Sequence, residues 1–287
     1  MTEIILETLI DGLKLIPFLF LAFLLIEIIE HKLTGKSKKI ISKSGKFGPI
    51  VGSALGMFPQ CGFSAMATNL YVTRIISLGT LISIYLSTSD EMLPILISQN
   101  VEISIILKIL GVKFIIGIIY GLIIDLILRK KEKTTETDFS ICEDENCNCN
   151  CGGGKGRIVL SALKHTGNTI LFIVIISFII NIIFEYFGEE FLSTIFLKDS
   201  IFGPFISSLV GLIPNCGASV MITQLYLNNA ISFGSTIAGL LTGSGVALLI
   251  LFKTNKNIKE NLAILGTLYF LGAFTGVLIE IFQILIN

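Results

Sequence analysis

The chain has 287 residues, of which 53% are hydrophobic and only 15% charged, with a mean hydropathy of +0.85. A soluble domain carries about a quarter charged residues, so this composition cannot furnish a soluble shell. The 21 basic and 21 acidic residues cancel, and no basic stripe interleaved with aromatics is present, which argues against nucleic acid as a partner.

The first apolar run occupies 4–29, and runs of similar length follow at 47–70, 75–97, 103–128, 158–184, 201–227, 231–252 and 262–286. Each is close to the ~20 residues that cross ~30 Å of hydrocarbon as a helix, so the expected fold class is all-α, a polytopic transmembrane helical bundle. Glu3, Glu7 and Asp11 stand where a signal peptide would be basic, and no small-residue cleavage site closes the first run, so it is expected to stay. The loop behind it carries Lys32, Lys36, Lys38, Lys39, Lys43 and Lys46 and is expected in the cytoplasm.

The second run is interrupted. Residues 48–58 make only ~16 Å of helix, enough to reach the bilayer centre, before the chain meets Pro59-Gln60-Cys61-Gly62. Proline removes a backbone donor, glycine permits a tight reversal, and the thiol and amide are left beside freed carbonyls. One reading makes 47–73 a re-entrant segment that returns to the cytoplasmic face near Arg74; the other makes each arm a full span. In either case broken backbone at this depth has to be buried in protein or line a wet cavity.

The third run holds Ser87-Thr88-Ser89-Asp90-Glu91 at its middle. Carboxylates at membrane depth are costly and mark ion or proton pathways, so Ser89, Asp90 and Glu91 are candidate substrate-binding residues. The acids would bind a cation directly or carry a coupling proton. In the run 103–128, Gly117 and Gly121 form a GxxxG pair suited to close helix packing. Asp125 is expected to face headgroups or cap the bundle, and Lys108 and Lys113 to snorkel or pair.

The linker 129–157 contains Cys142, Cys147, Cys149 and Cys151 and is flanked by Arg129, Lys130, Lys131, Lys133, Lys155 and Arg157, which places it in the cytoplasm. Disulfides are disfavoured there, and the spacing lacks the paired CxxC arms of a zinc finger. The four thiols therefore read as a flexible trap for Cu(I), Zn(II), Cd(II) or As(III).

The rest of the chain repeats the first part. Aligned at one constant offset without a gap, FGPIVGSALGMFPQCGFSAMATNLYVTRIISLGT matches FGPFISSLVGLIPNCGASVMITQLYLNNAISFGS, so Pro59, Cys61 and Gly62 fall on Pro214, Cys216 and Gly217. Downstream, Gly117, Gly121 and Asp125 fall on Gly272, Gly276 and Glu280. The stretch matching the acidic one, Leu241-Thr242-Gly243-Ser244-Gly245, keeps the hydroxyls and lacks both acids. Loop charge inverts between the halves. The counterpart of the first basic loop carries Glu185, Glu189, Glu190 and Asp199 against Lys198; residues 98–104 hold Glu102 and no base, whereas 253–260 hold Lys253, Lys256 and Lys259. Two loop pairs thus point to two inverted-topology repeats, 1–128 and 158–287, with broken or re-entrant helices at PQCG and PNCG.

FPQCGFSAMATNLY, the STSDE that follows it, IPNCGASVMITQLY and the Cys-rich stretch between the halves resemble the ten-span heavy-metal exporter family, whose members are labelled arsenic efflux or manganese transporters. The resemblance covers nearly the whole chain and extends more distantly to permeases for trivalent organoarsenicals. It implies a multi-pass plasma-membrane exporter of a metal or metalloid ion.

The residues then take expected roles: Cys61 and Cys216 as thiol ligands, Gln60 and Asn215 as auxiliary ligands, and Asp90 and Glu91 as charge compensation or proton carriers. The expected function is secondary active export of an arsenite-like or soft divalent ion, with the cytoplasmic cysteines as a capture site and rocking of one repeat against the other as the motion. Two rivals stand beside it. Manganese(II), a harder ion, would make the acids primary. A membrane thiol oxidoreductase using Cys61 and Cys216 would need their Cα atoms within about 7 Å. No nucleotide-binding loop, GxSxG or HExxH occurs, so no enzyme activity and no cofactor are expected. The expected partners are the ion, coupling protons and the lipid bilayer, with a homo-oligomer left open.

Overall fold

In the computed structural model the described residues are 47–58, 61–89, 92–129 and 202–286, with scattered helical positions between 10 and 24 and between 163 and 178. Gln60, Asp90 and Glu91 lie outside them, as does the linker with Cys142, Cys147, Cys149 and Cys151.

Among the described residues every regular element is a helix. The first half contributes α1 (Gly48–Gly56), α2 (Cys61–Val72), α3 (Leu78–Ser87), α4 (Met92–Ser98) and α5 (Ile103–Arg129). The second contributes α6 (Gly203–Gly211), α7 (Cys216–Leu227), α8 (Phe233–Thr242), α9 (Ala247–Thr254) and α10 (Ile258–Ile286). Each helix of the second half starts at the offset read from the sequence. The local causes recur with it. Pro49 and Pro204 stand in the first turns of α1 and α6, where a missing N–H costs nothing. Ser77 caps α3 by accepting from the Thr80 N–H at 3.2 Å, and Ser232 caps α8 from the Ser235 N–H at 3.1 Å. Arg74 (φ 58°) and Asn229 (φ 54°) end α2 and α7 in the left-handed conformation, and the amides after them bond back to Leu70 O and Leu225 O at 2.8 Å.

Contacts between the helices fix the path of the chain. A Cβ on Gly48 would meet the side chain of Thr80, one on Gly52 that of Ile84, and one on Gly56 that of Ser87, so α1 and α3 run parallel with their starts level. Only α2 and a short turn connect them. The chain must therefore return along α2 to the level where α1 began, so α1 and α2 are the arms of a hairpin; at nine and twelve residues, ~14 and ~18 Å of helix, each arm is shorter than the ~30 Å of hydrocarbon, which favours the re-entrant reading. Ser207 against Gly239 and Ser208 against Thr242 give α6 and α8 the same parallel register, so α6 and α7 form a second hairpin.

The reversal differs in detail from expectation. Gly62 and Gly217 lie inside the first turns of α2 and α7, and in the second hairpin the non-helical residues 212–215 fall just before Cys216. Asn215, in extended conformation, is the N-cap of α7.

After each hairpin a broken helix crosses the core. α3 ends at Ser87, before the non-helical Thr88 and Ser89, and α4 starts at Met92; α8 and α9 are separated at 243–246. Residues 79–87 of α3 and 234–242 of α8 are buried on every face, as expected of helices at the centre of a bundle. The long α5 and α10 run antiparallel to α3 and α8 and close against them through Gly117, Gly121, Gly272 and Gly276. A Cβ on Gly121 would lie 2.8 Å from Gly79 O, and one on Gly276 2.7 Å from Gly234 O. Their other faces expose Leu107, Ile115, Ile119, Leu262 and Phe270. Three helical stretches among the described residues are long and apolar enough to cross a membrane: Ile103–Leu128, Phe233–Thr254 and Ile258–Phe282. The exposed apolar faces are those a bilayer solvates.

The halves interlock rather than sit side by side. The hairpin arm α2 packs on α9 of the other half, α7 packs on α4, and α3 crosses α8.

Candidate functional site

The two hairpin tips and the two helix breaks converge. At the first break Ser89 Oγ donates to Met57 O, just beyond the end of α1, at 2.7 Å. Ser89 is buried, so its hydroxyl ties tip to break where both lack helical hydrogen bonds. At the second break Ser244, its counterpart, is fully buried, and its Oγ has no hydrogen-bond partner. Such a hydroxyl is costly without a ligand or a rearrangement. Gly245 follows at φ 55°, a left-handed backbone that glycine adopts without strain.

A buried hydroxyl cluster links the halves. Thr68 Oγ1 and Tyr85 OH lie 2.6 Å apart, and both reach Ala247 O, at the start of α9, at 3.5 Å. The first hairpin arm and the first broken helix are thus both held against the second break.

The charge at this level is Lys113. Its side chain is 1% exposed, and Nζ donates to Thr88 O, at the end of α3, and to Leu240 O, in the last turn of α8, at 2.8 Å. Burying an ammonium costs several kcal/mol unless it is paired, and helix C-terminal carbonyls carry the negative end of the dipole. Of the alternatives for Lys113, snorkelling is ruled out and pairing holds. Its repeat counterpart is Leu268, fully buried.

Asp125 and Glu280 turn inward. Asp125 accepts from Ser77 Oγ at 2.8 Å and from the Gly79 N–H at 3.0 Å, and Glu280 accepts from Ser232 Oγ at 2.7 Å. Each carboxylate lies at the positive start of a broken helix, so the capping alternative holds over the headgroup one.

Of the residues expected at the site, Ser89 and Asn215 are described in full. Asn215 Oδ1 accepts from the Gly217 N–H at 3.3 Å, so the amide already serves as a helix cap. Cys61 and Cys216 open α2 and α7, which puts both thiol-bearing positions at hairpin tips. Among the described residues no group of three or more His, Cys, Asp or Glu forms a ready-made metal cluster. From the sequence Lys113 had only a snorkelling or pairing role and Ser244 only a place in the hydroxyl-bearing stretch 241–245, and the Thr68–Tyr85 pair was not picked out. Lys113 carried a usable signal, being a charge well inside an apolar helix.

A family model described as "Putative, 10TM heavy-metal exporter" matches residues 1–192 and 158–285. The chain belongs to this family. No curated protein and no solved structure matches it. The chain is accordingly a multi-pass, all-α membrane protein of a family described as heavy-metal exporters.

Proposed function

We propose that this exporter moves a soft or borderline metal or metalloid ion out of the cell across the plasma membrane, with the cargo held between the two hairpin tips and the two helix breaks. The observation that carries the reading is the convergence at Lys113 of carbonyls from α3 and α8, one from each half, beside tips that begin with Cys61 and Cys216. Half-helix ends, freed carbonyls and buried hydroxyls are the means by which irregular backbone binds ions inside a membrane. Cys61 and Cys216 would supply thiolate ligands, Gln60 and Asn215 amide oxygens, and Asp90 and Glu91, adjoining Ser89, the compensating charge or the coupling proton. Cys142, Cys147, Cys149 and Cys151 would capture the ion in the cytoplasm.

The inverted arrangement of the repeats is part of the proposal, and α10 supports it. Near its start Glu260 pairs with Arg74, just before α3; near its end Glu280 meets Ser232, just before α8. These points are ~30 Å apart along the helix at 1.5 Å per residue. The two broken helices therefore start at opposite ends of the bundle. Lys253 Nζ, which donates to Asn168 O at 2.6 Å, joins the Arg74 end, and the basic loop 253–260 orients that end towards the cytoplasm.

A second reading, manganese(II), is favoured by the oxygen-rich surroundings of Ser89, Ser244 and Thr68. Uptake into inverted vesicles containing the purified protein, offering As(III), Mn(II), Zn(II) and Cd(II) with and without a proton gradient, tests both. Gradient-dependent accumulation of one ion is expected; accumulation of none would overturn the export reading.

A further inference from the structure

The buried ammonium of Lys113 is unusual in position as well as in burial. It lies ~15 Å along α5 from Ile103, a helix ~40 Å long, at the level where α3 and α8 both end. It bonds one carbonyl from each half, Thr88 O and Leu240 O. The equivalent position, Leu268, cannot do so, so the cation sits on one side of an otherwise repeated scaffold, in the same half as Asp90 and Glu91. Within the second break the Ser244 hydroxyl is buried and unpartnered.

Carbonyls at helix C-termini together with a spare hydroxyl are cation-binding chemistry. Here the cation is the protein's own. We infer that Lys113 is a tethered substitute for the cargo: in the empty carrier its ammonium holds the carbonyl ends of α3 and α8, and an arriving cargo cation displaces it. The inference rests on the export reading above. Two positive charges cannot share so small a buried site, so loading has to move the ammonium aside, and unloading lets it return. The empty site is then never left as an uncompensated set of carbonyls. Consequently the metal-free carrier reorients without a second metal ion, its return still open to the coupling proton, and transport is net efflux rather than obligatory metal exchange.

The test is tracer flux in proteoliposomes, using Cd(II) and Mn(II), measured as net uptake with no cation on the far side and as exchange with the same ion on both sides. In the wild-type protein net uptake is expected to run within about threefold of exchange. Lys113→Gln keeps N–H donors for the two carbonyls and removes the charge. It is expected to cut net uptake at least about tenfold, leave exchange within about threefold, and lower the KM because the internal competitor is gone. A structural role alone would lower net uptake and exchange together. That result in a monodisperse Lys113→Gln protein overturns the inference, and so does net uptake equal to wild type. If Lys113→Gln fails to fold, the wild-type arm decides: obligatory metal exchange contradicts a tethered cation, and net uptake with no metal ion on the far side supports it. Absence of both fluxes for every ion, As(III) and Zn(II) included, would instead overturn the export reading itself.

Discussion

Arg74 and Glu260 form a two-pronged ion pair, Nη1–Oε1 at 2.8 Å and Nη2–Oε2 at 3.0 Å, that fastens the end of the first hairpin to the start of the last long helix. Tyr71 OH donates to the same carboxylate, and hydrogen bonding to Glu260 raises the Arg74 guanidinium further above its ordinary value. The pair is partly wet, with Arg74 45% and Glu260 18% exposed. A double-mutant cycle of Arg74→Ala and Glu260→Ala, read as melting of the detergent-solubilised protein, is therefore expected to give a coupling of about 1 kcal/mol that shrinks at high salt. Additive effects would show that the pair does not join the halves.

The glycines of α5 separate packing from helix propensity. Gly121→Ala places a methyl 2.8 Å from Gly79 O and from the Cβ atoms of Pro49 and Ser83, none of which can swing aside, so a loss of about 1–3 kcal/mol is expected. Gly111, with nothing within 4 Å of its Cβ position, gains about 0.5–1 kcal/mol on replacement by Ala. Equal melting shifts for the two variants would contradict the close approach of α3 and α5.

The carboxylates that start the broken helices act as a repeated device. Asp125→Ala leaves Ser77 Oγ and the Gly79 N–H without their acceptor and is expected to cost about 1–3 kcal/mol, and Asp125→Asn less because one acceptor oxygen remains. Glu280→Ala follows the same order with a smaller loss, since only the Ser232 bond to it corresponds. Hydrogen exchange of the first turn of α3 locates the effect. Unchanged protection there in Asp125→Ala would remove the capping role.

Sidedness is open to single-cysteine labelling in a background where the native cysteines are replaced. Lys259→Cys, beside Glu260, is expected to react with an impermeant maleimide in inverted vesicles, and Gln99→Cys and Asn228→Cys only in right-side-out cells. All three reacting from one side would contradict the inverted arrangement.

Much of this architecture was legible in the sequence because it is periodic or chemically marked. Pro59 and Pro214 announced the breaks, the unbroken offset from Phe47 and Phe202 announced the repeat, and Gly117-xxx-Gly121 announced the close packing. What stayed hidden depends on direction in space. Run length alone could not distinguish a re-entrant hairpin from two spans, since 47–73 fits either; the short arms, nine residues in α1 and twelve in α2, favour the hairpin. Lys113 was hidden for a related reason. Its partners are backbone carbonyls, which every residue has, and the burial that makes it notable comes from α8, more than a hundred residues away in the chain. The Thr68–Tyr85 pair likewise joins two helices and a third element from the other half, with no local motif.

The most direct test of the central claim, that the hairpin tips hold the cargo, is parallel uptake of As(III) and Mn(II) into inverted vesicles carrying the wild-type protein or the Cys61→Ser/Cys216→Ser variant. The account predicts that the wild type accumulates As(III) and that the double variant, still folded, loses this by at least about tenfold. As(III) accumulation unaffected by loss of both thiols would contradict it. Selective survival of Mn(II) transport would transfer the cargo to the oxygen ligands around Ser89 and Asp90.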